Sequence, residues 1–125
     1  MTKKQLDNWL NKLGKAWEER DPQKAASLFT RDVVYYESPF EKPCSSWKEV
    51  LNLWLEVPKN QKNIKFGYEV IMVLRNLGLA HWTASYSKIA DNTEKHLDGV
   101  FLVSLNTKGL CTFFKQWEMT KPGFS

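Results

Sequence analysis

The sequence is poor in residues that cross-link, ligate metals or span bilayers. It holds two cysteines, Cys44 and Cys111, and two histidines, His81 and His96, in 125 residues. A chain of this length buries enough apolar surface to fold without a staple, so both cysteines are expected as free thiols. Neither a Cys-x-x-Cys nor a His-x-x-x-His spacing occurs, so no metal site is expected, and a Cys–His nucleophilic pair has no local motif behind it. The longest uninterrupted apolar runs, Val70–Leu74 and Val100–Val103, fall far short of the roughly 18 residues that a membrane helix needs. Arginine supplies three of the 18 basic residues. Arginine makes most bidentate contacts to phosphates and bases, so a net charge of +4 without it does not point to nucleic acid. The densest basic stretch, Lys59, Lys62 and Lys65 beside Phe66 and Tyr68, reads as a solvated loop. Met1 to Asp7 runs directly into a polar, periodic segment with no apolar signal core, which makes the cytoplasm the expected compartment.

Aromatic residues, in contrast, are plentiful: six Trp, seven Phe and four Tyr, 14% of the chain. Such side chains line pockets as readily as they fill cores. Leu6, Trp9, Leu10, Leu13 and Trp17 share one helical face, with Asp7, Lys12, Lys15, Glu18 and Glu19 opposite, and predict a first helix ending near Arg20. Asp21-Pro22 is a helix restart, and the short second helix turns Ala25, Leu28 and Phe29 inward. Val33 to Tyr36 predict a short strand stopped by Pro39 and Pro43. Ser46 and Glu49 form a capping box for a third helix that faces inward through Trp47, Val50, Leu51, Trp54 and Leu55 and ends at Pro58.

The remainder alternates as strand. Phe66, Tyr68, Val70, Met72 and Leu74 are expected to share a face with Ala80, Trp82, Ala84 and Tyr86 across a three-residue turn, Asn76 to Gly78. Ile71, Val73, His81 and Thr83 then fall on the other face. A second hairpin spans Leu97–Leu105 and Leu110–Met119, closed by Asn106 to Gly109 with the glycine in the left-handed region. Helices first and long strands afterwards indicate one α+β domain over residues 1–125, with three N-terminal helices against a mainly antiparallel sheet.

This order resembles the cone-shaped fold of the SnoaL-like polyketide cyclases, ketosteroid isomerases and nuclear transport factor two relatives. The segments that carry the resemblance are Trp17 to Asp21 leading into Ala25–Phe29 and Asp32, then Tyr35-Tyr36-Glu37-Ser38-Pro39-Phe40, Ala80-His81-Trp82, Leu97 to Phe101, and Gly109 with Lys115-Gln116-Trp117. The resemblance implies a strongly curved sheet with an internal pocket. It does not extend to the isomerase machinery. Ser38 stands where those enzymes carry a base before Pro39-Phe40, Leu13 or its neighbour stands where they carry a tyrosine, and Phe101 stands where they carry an aspartic acid.

In the epoxide hydrolases and cyclases that the chain resembles, an acid sits on the inner face of the last strand. The matching positions here are Gln116 and Glu118, and Glu118 is the candidate acid or base, its pKa expected to rise among aromatic neighbours. The water-positioning Arg-x-Asp pairing of epoxide hydrolases is absent, since Gly99 and Phe101 lie opposite. Glu37 is placed at the mouth with its direction open. Asp98 and His81 are expected on the outer face, Asp98 bonding a loop or a partner subunit.

A sheet that curls around the first helix would present Trp82, Tyr86, Phe101, Val103, Phe114, Gln116 and Glu118 on its concave side, with Trp17, Tyr36, Ser38, Phe40 and Trp54 closing the pocket. The resemblance thus implies a hydrophobic pocket for a small aromatic or polycyclic molecule, with isomerase, cyclase or hydrolase chemistry and no cofactor. A ligand carrier and a protein-interaction module are the alternatives on the same fold. The apolar outer face, with Ile71, Val73 and Thr83, points to a homodimer through the sheet.

Overall fold

The computed structural model describes residues 1–122. Helix α1 (Lys3–Glu18) starts at Thr2, whose hydroxyl accepts from the Gln5 N–H while the Gln5 side chain accepts from the Thr2 N–H, a complete capping box. It ends as Arg20 turns into the left-handed region. Asp21 then caps α2 (Pro22–Ala26), accepting from the Lys24 N–H at 3.1 Å with Pro22 in the first turn. Strand β1 (Phe29–Tyr36) follows, then α3 (Trp47–Trp54) and α4 (Glu56–Asn60). Ser46 caps α3, but the Glu49 carboxylate turns to Ser45 rather than completing a box with Ser46. Pro58 was expected to stop this segment. It lies instead inside α4, close enough to the helix start that its missing N–H costs no bond.

Strands β2 (Gln61–Leu74), β3 (Leu77–Lys88), β4 (Glu94–Leu105) and β5 (Cys111–Thr120) complete an open five-stranded sheet in the order β1-β5-β4-β3-β2. All neighbours are antiparallel except β1 and β5. Four helices, one more than the three expected, precede β2, with β1 between α2 and α3, and the architecture is the α+β cone expected from the sequence. At the far turn of the second hairpin Gly109 has φ +80°, as its position required. The first hairpin differs from expectation. Arg75 and Asn76 form the turn, with Arg75 at φ 56°, and the register slips between Val70 and Met72. Tyr68 still faces Trp82 and Phe66 faces Ala84, but beyond the slip Val73 packs on the core while Met72 and Leu74 are exposed. A bulge reverses which residues face inward, and periodicity alone does not reveal it.

Between α1 and the sheet the core is largely aromatic. Trp9 meets Phe29 edge-on at 5.5 Å and donates its indole N–H to the Leu28 carbonyl at 3.1 Å. Trp82 stacks on Phe101 at 4.9 Å, and Gly99 leaves the gap that its indole occupies. Cys44 and Cys111 are free thiols. Phe66 and Tyr68 turn toward α1, where Tyr68 donates to Asp7, so they do not join the lysines in one strip. Among the described residues no helix is long and apolar enough to cross a membrane.

Candidate functional site

A cavity of about 200 Å³ opens between the end of α1, α3 and the concave face of the sheet. Leu13, Leu97, Phe101 and Phe114, all buried, line its interior. Trp17 and Trp54 form one corner, with ring centres 5.9 Å apart and planes at 88°. The Trp17 indole N–H is held by the Gln61 side-chain oxygen at 2.8 Å. The volume corresponds to about seven water molecules of bulk liquid and lies below the ~300 Å³ at which pockets for drug-sized ligands begin. Of the small aromatic or polycyclic molecules expected from the sequence, this volume favours the smaller.

Two carboxyl groups line this cavity, Glu37 and Glu118. Glu118 shares the inward side of β5 with Phe114 and Gln116, and its cross-strand partner is Gly99, which has no side chain to crowd it. Glu37 follows β1 directly. Its placement is set by backbone bonds, because the Tyr35 N–H donates to the Cys44 carbonyl at 2.9 Å and the Cys44 N–H to the Tyr35 carbonyl at 2.8 Å, which ties off the loop between them. The buried Gln116 side chain then donates its Nε2 to the Glu37 carbonyl at 2.9 Å.

Water reaches both carboxylates, which rank as exposed by surface area. Protein mass nevertheless surrounds Glu37 on its remaining sides, as befits a group at a concave mouth. That burial, with the Glu118 charge next in weight, lifts its pKa from 4.5 to about 6. Glu118 is raised as well, by burial. The neighbouring phenols follow the same sign: Tyr35 is raised by burial and then by Glu37, and Tyr86 by burial and then by Glu118. Trp54 Nε1 is buried without a hydrogen-bond partner, and it lies toward the Tyr35 phenol without meeting bonding geometry.

Of the residues anticipated from sequence, Trp17, Trp54, Tyr86, Phe101, Phe114, Gln116 and Glu118 line this cavity. Four do not. Tyr36 lies on the outer side of β1, its ring 6.0 Å from Phe113 and under the Lys115 ammonium at 4.8 Å. Tyr35 takes the inward place because the β1–β5 register sets it against Phe114, on which it stacks at 4.5 Å. Phe40 is 96% exposed in the loop after β1. Ser38 accepts from the Phe40 N–H at 3.2 Å and shapes that loop. Trp82, 1% exposed, belongs to the packed core rather than the cavity wall.

Sequence reading missed Tyr35 and left Glu37 open. The only signal was the two-residue step from Tyr35 to Glu37, which places both on one side of an extended chain.

On the outer face His81 stands between two acids, its Nδ1 3.2 Å from Glu69 and its Nε2 2.9 Å from Asp98. Asp98 was expected to bond a loop or a partner subunit; it bonds His81. Part of that face forms a broad, shallow trough of about 700 Å³ that includes Lys65, Thr83 and Asp98. It is the more open of the two, whereas the concave cavity combines aromatic walls and shifted titratable groups, so we assign the candidate site to the latter. Among the described residues no three His, Cys, Asp or Glu side chains gather into a metal site.

Residues 10–113 match the SnoaL-like domain. No curated protein matches the sequence. Among solved structures, an NTF2-like protein of unknown function from Exiguobacterium sp. 255-15 superposes with TM-score 0.73 at 16% identity, covering 89% of this chain and 98% of its own. The epoxide hydrolase/cyclase-like enzyme SalBIII of pyran ring formation in the polyether salinomycin gives 0.81 at 10% identity, covering 95% of each chain. A protein of ketosteroid isomerase-like fold from Catenulispora acidiphila, in complex with trimethylamine, gives 0.76 at 10%, covering 87% of this chain and 83% of its own. At these identities the likeness is one of fold.

Proposed function

The chain belongs to the SnoaL-like domain family, and from that premise we propose that it binds a small organic molecule in the concave cavity and moves a proton on it with Glu37 and Glu118. The observation that carries this reading is the pairing of two carboxyl groups in one aromatic-walled space. Their pKa values are both raised, and Glu37 at about 6 changes charge close to neutral pH. A carboxyl so shifted exchanges its proton nearer neutral pH than an ordinary one, which suits it to acid–base chemistry. The Tyr35 phenol, buried between Trp54 and Glu37, helps to position the Glu37 carboxyl at the cavity. Isomerisation, cyclisation and ring-opening hydration can each use such a carboxyl pair. The structural neighbours described with pyran ring formation and with trimethylamine support a small organic molecule as ligand.

The test begins with native mass spectrometry of the purified protein to capture a bound compound, followed by incubation of that compound with fresh enzyme. Glu118→Gln and Glu37→Gln should each abolish its conversion while leaving its affinity within a few-fold. A compound recovered unchanged from wild-type protein would identify the cavity as a carrier site. Turnover that survives both substitutions would remove the carboxyl pair from the chemistry.

The outer face supports a homodimer. Trp117 lies across from Val100, and Lys115, Leu102, Leu79 and Met72 follow one another in register across four strands. Trp117 is 40% and Met72 51% exposed, apolar positions among the charged Lys115, His81 and Glu69 of the same face that a second copy would cover.

A further inference from the structure

We propose that the cavity takes an organic cation, a small ammonium compound whose charge meets the Glu37 and Glu118 carboxylates and whose alkyl body lies against Trp17 and Trp54. This rests on the reading of the cavity as a ligand site and names the class of ligand.

The sign of charge is the first reason. The chain has 18 basic and 14 acidic residues, yet the cavity is lined by two acids and by no lysine, arginine or histidine. Among the described residues no basic side chain forms an ion pair with either carboxylate. Lys115, on the same strand as Glu118, points to the outer face, its ammonium 4.8 Å from the Tyr36 ring centre and 5.2 Å from that of Trp117. The negative charge is therefore left for a ligand to balance.

The walls are the second reason. Two indoles, packed edge to face at 88°, both border this small volume. Ring faces attract a cation, and most strongly where water is thinned out. A neutral ligand of the same shape would displace water from the carboxylates without replacing its stabilisation. An anion would be repelled by both.

Size is the third reason. A cavity of about 200 Å³ admits a compact head group with a short tail and little more. Together these features describe an acidic rim over an aromatic corner, fitted to a quaternary or tertiary ammonium.

Three probes of near-equal size separate the terms: choline, the neutral 3,3-dimethylbutan-1-ol and the anionic 3,3-dimethylbutanoate. Binding is followed by the indole N–H signals of Trp17 and Trp54 in ¹H–¹⁵N spectra at neutral pH, up to about 10 mM, since compounds this small bind in the millimolar range. Choline should bind roughly tenfold tighter than the alcohol or better, and the anion should not bind. The doubly substituted Glu37→Gln/Glu118→Gln protein should lose the preference for choline and keep its affinity for the alcohol. If that protein does not fold, Glu118→Gln alone, at an exposed carboxylate, should reduce the preference. An alcohol that binds as well as choline, or a choline preference that survives the substitutions, overturns the cation and leaves the ligand site standing. Indole signals that none of the three compounds moves would overturn both.

Discussion

Replacing Glu118 with glutamine removes one negative charge from the cavity and preserves its shape, which makes it a direct probe of the field around Glu37. Burial is the larger cause of the rise in the Glu37 pKa from 4.5 to about 6, and the Glu118 charge is the second. The substitution should therefore lower the value without returning it to 4.5. One pH unit corresponds to about 1.36 kcal/mol, so ionising a fully enclosed Glu37 would cost the folded state about 2 kcal/mol. Water reaches the group from one side, and screening reduces this to roughly 1 kcal/mol. The folded protein holds the proton more tightly than the unfolded chain does. The corresponding stability is thus fully present below the ordinary value of 4.5 and is lost as pH rises through about 6. Unfolding free energies from urea titrations across this interval should fall by that amount in wild type and by less in Glu118→Gln. Carboxyl ¹³C shifts would report the Glu37 titration itself. A wild-type Glu37 that titrates at the ordinary carboxylate value, or a titration that Glu118→Gln leaves unmoved, would refute the claim that the two groups share one field.

Gly99→Ala should destabilise the fold by about 3 kcal/mol in urea titrations, because a Cβ there would collide with the Trp117 carbonyl and lie 2.8 Å from the Trp82 indole. Gly109→Ala should cost only about 1 kcal/mol, since its φ of +80° is unfavourable for alanine but nothing crowds the position. His81, raised by its bonds to Asp98 first and Glu69 second, should titrate above the ordinary histidine value by NMR. Asp98→Asn should lower it more than Glu69→Gln, and the favourable pairing should be held at low pH and lost as pH rises through the folded value. Trp117→Glu should convert a dimer to a monomer in sedimentation velocity if the outer band seats a second copy.

Elements whose signals are local were legible in the sequence. The apolar face of α1, the Asp21-Pro22 restart and the Gly109 turn each depend on residues a few positions apart, and each formed as the pattern required. What escaped depends on partners far along the chain. Whether Tyr35 or Tyr36 faces inward is decided by the register of β1 on β5, and nothing within Val33–Tyr36 encodes that register. The reversal of Met72 and Val73 comes from a slip against β3. Glu118 was legible through strand parity and the family resemblance. Glu37 was not, because its position is imposed by the bridge to Cys44 and by Gln116, the latter in another strand. Cavity size was equally hidden, since aromatic content does not reveal how tightly the rings will pack.

The union of β1 with β5 has a bearing on how the polypeptide matures. As it leaves the ribosome, β1 has no neighbour in the sheet until the strand beginning at Cys111 has been made. The β2–β4 meander, by contrast, pairs strands that are consecutive in the chain. The last joining event therefore spans most of the molecule, the kind of distant closure that slows folding. Because Tyr35, Phe114 and Gln116 meet across that late seam, the concave cavity comes into being only when the nascent protein is nearly whole, and no truncated product that lacks β5 can hold it.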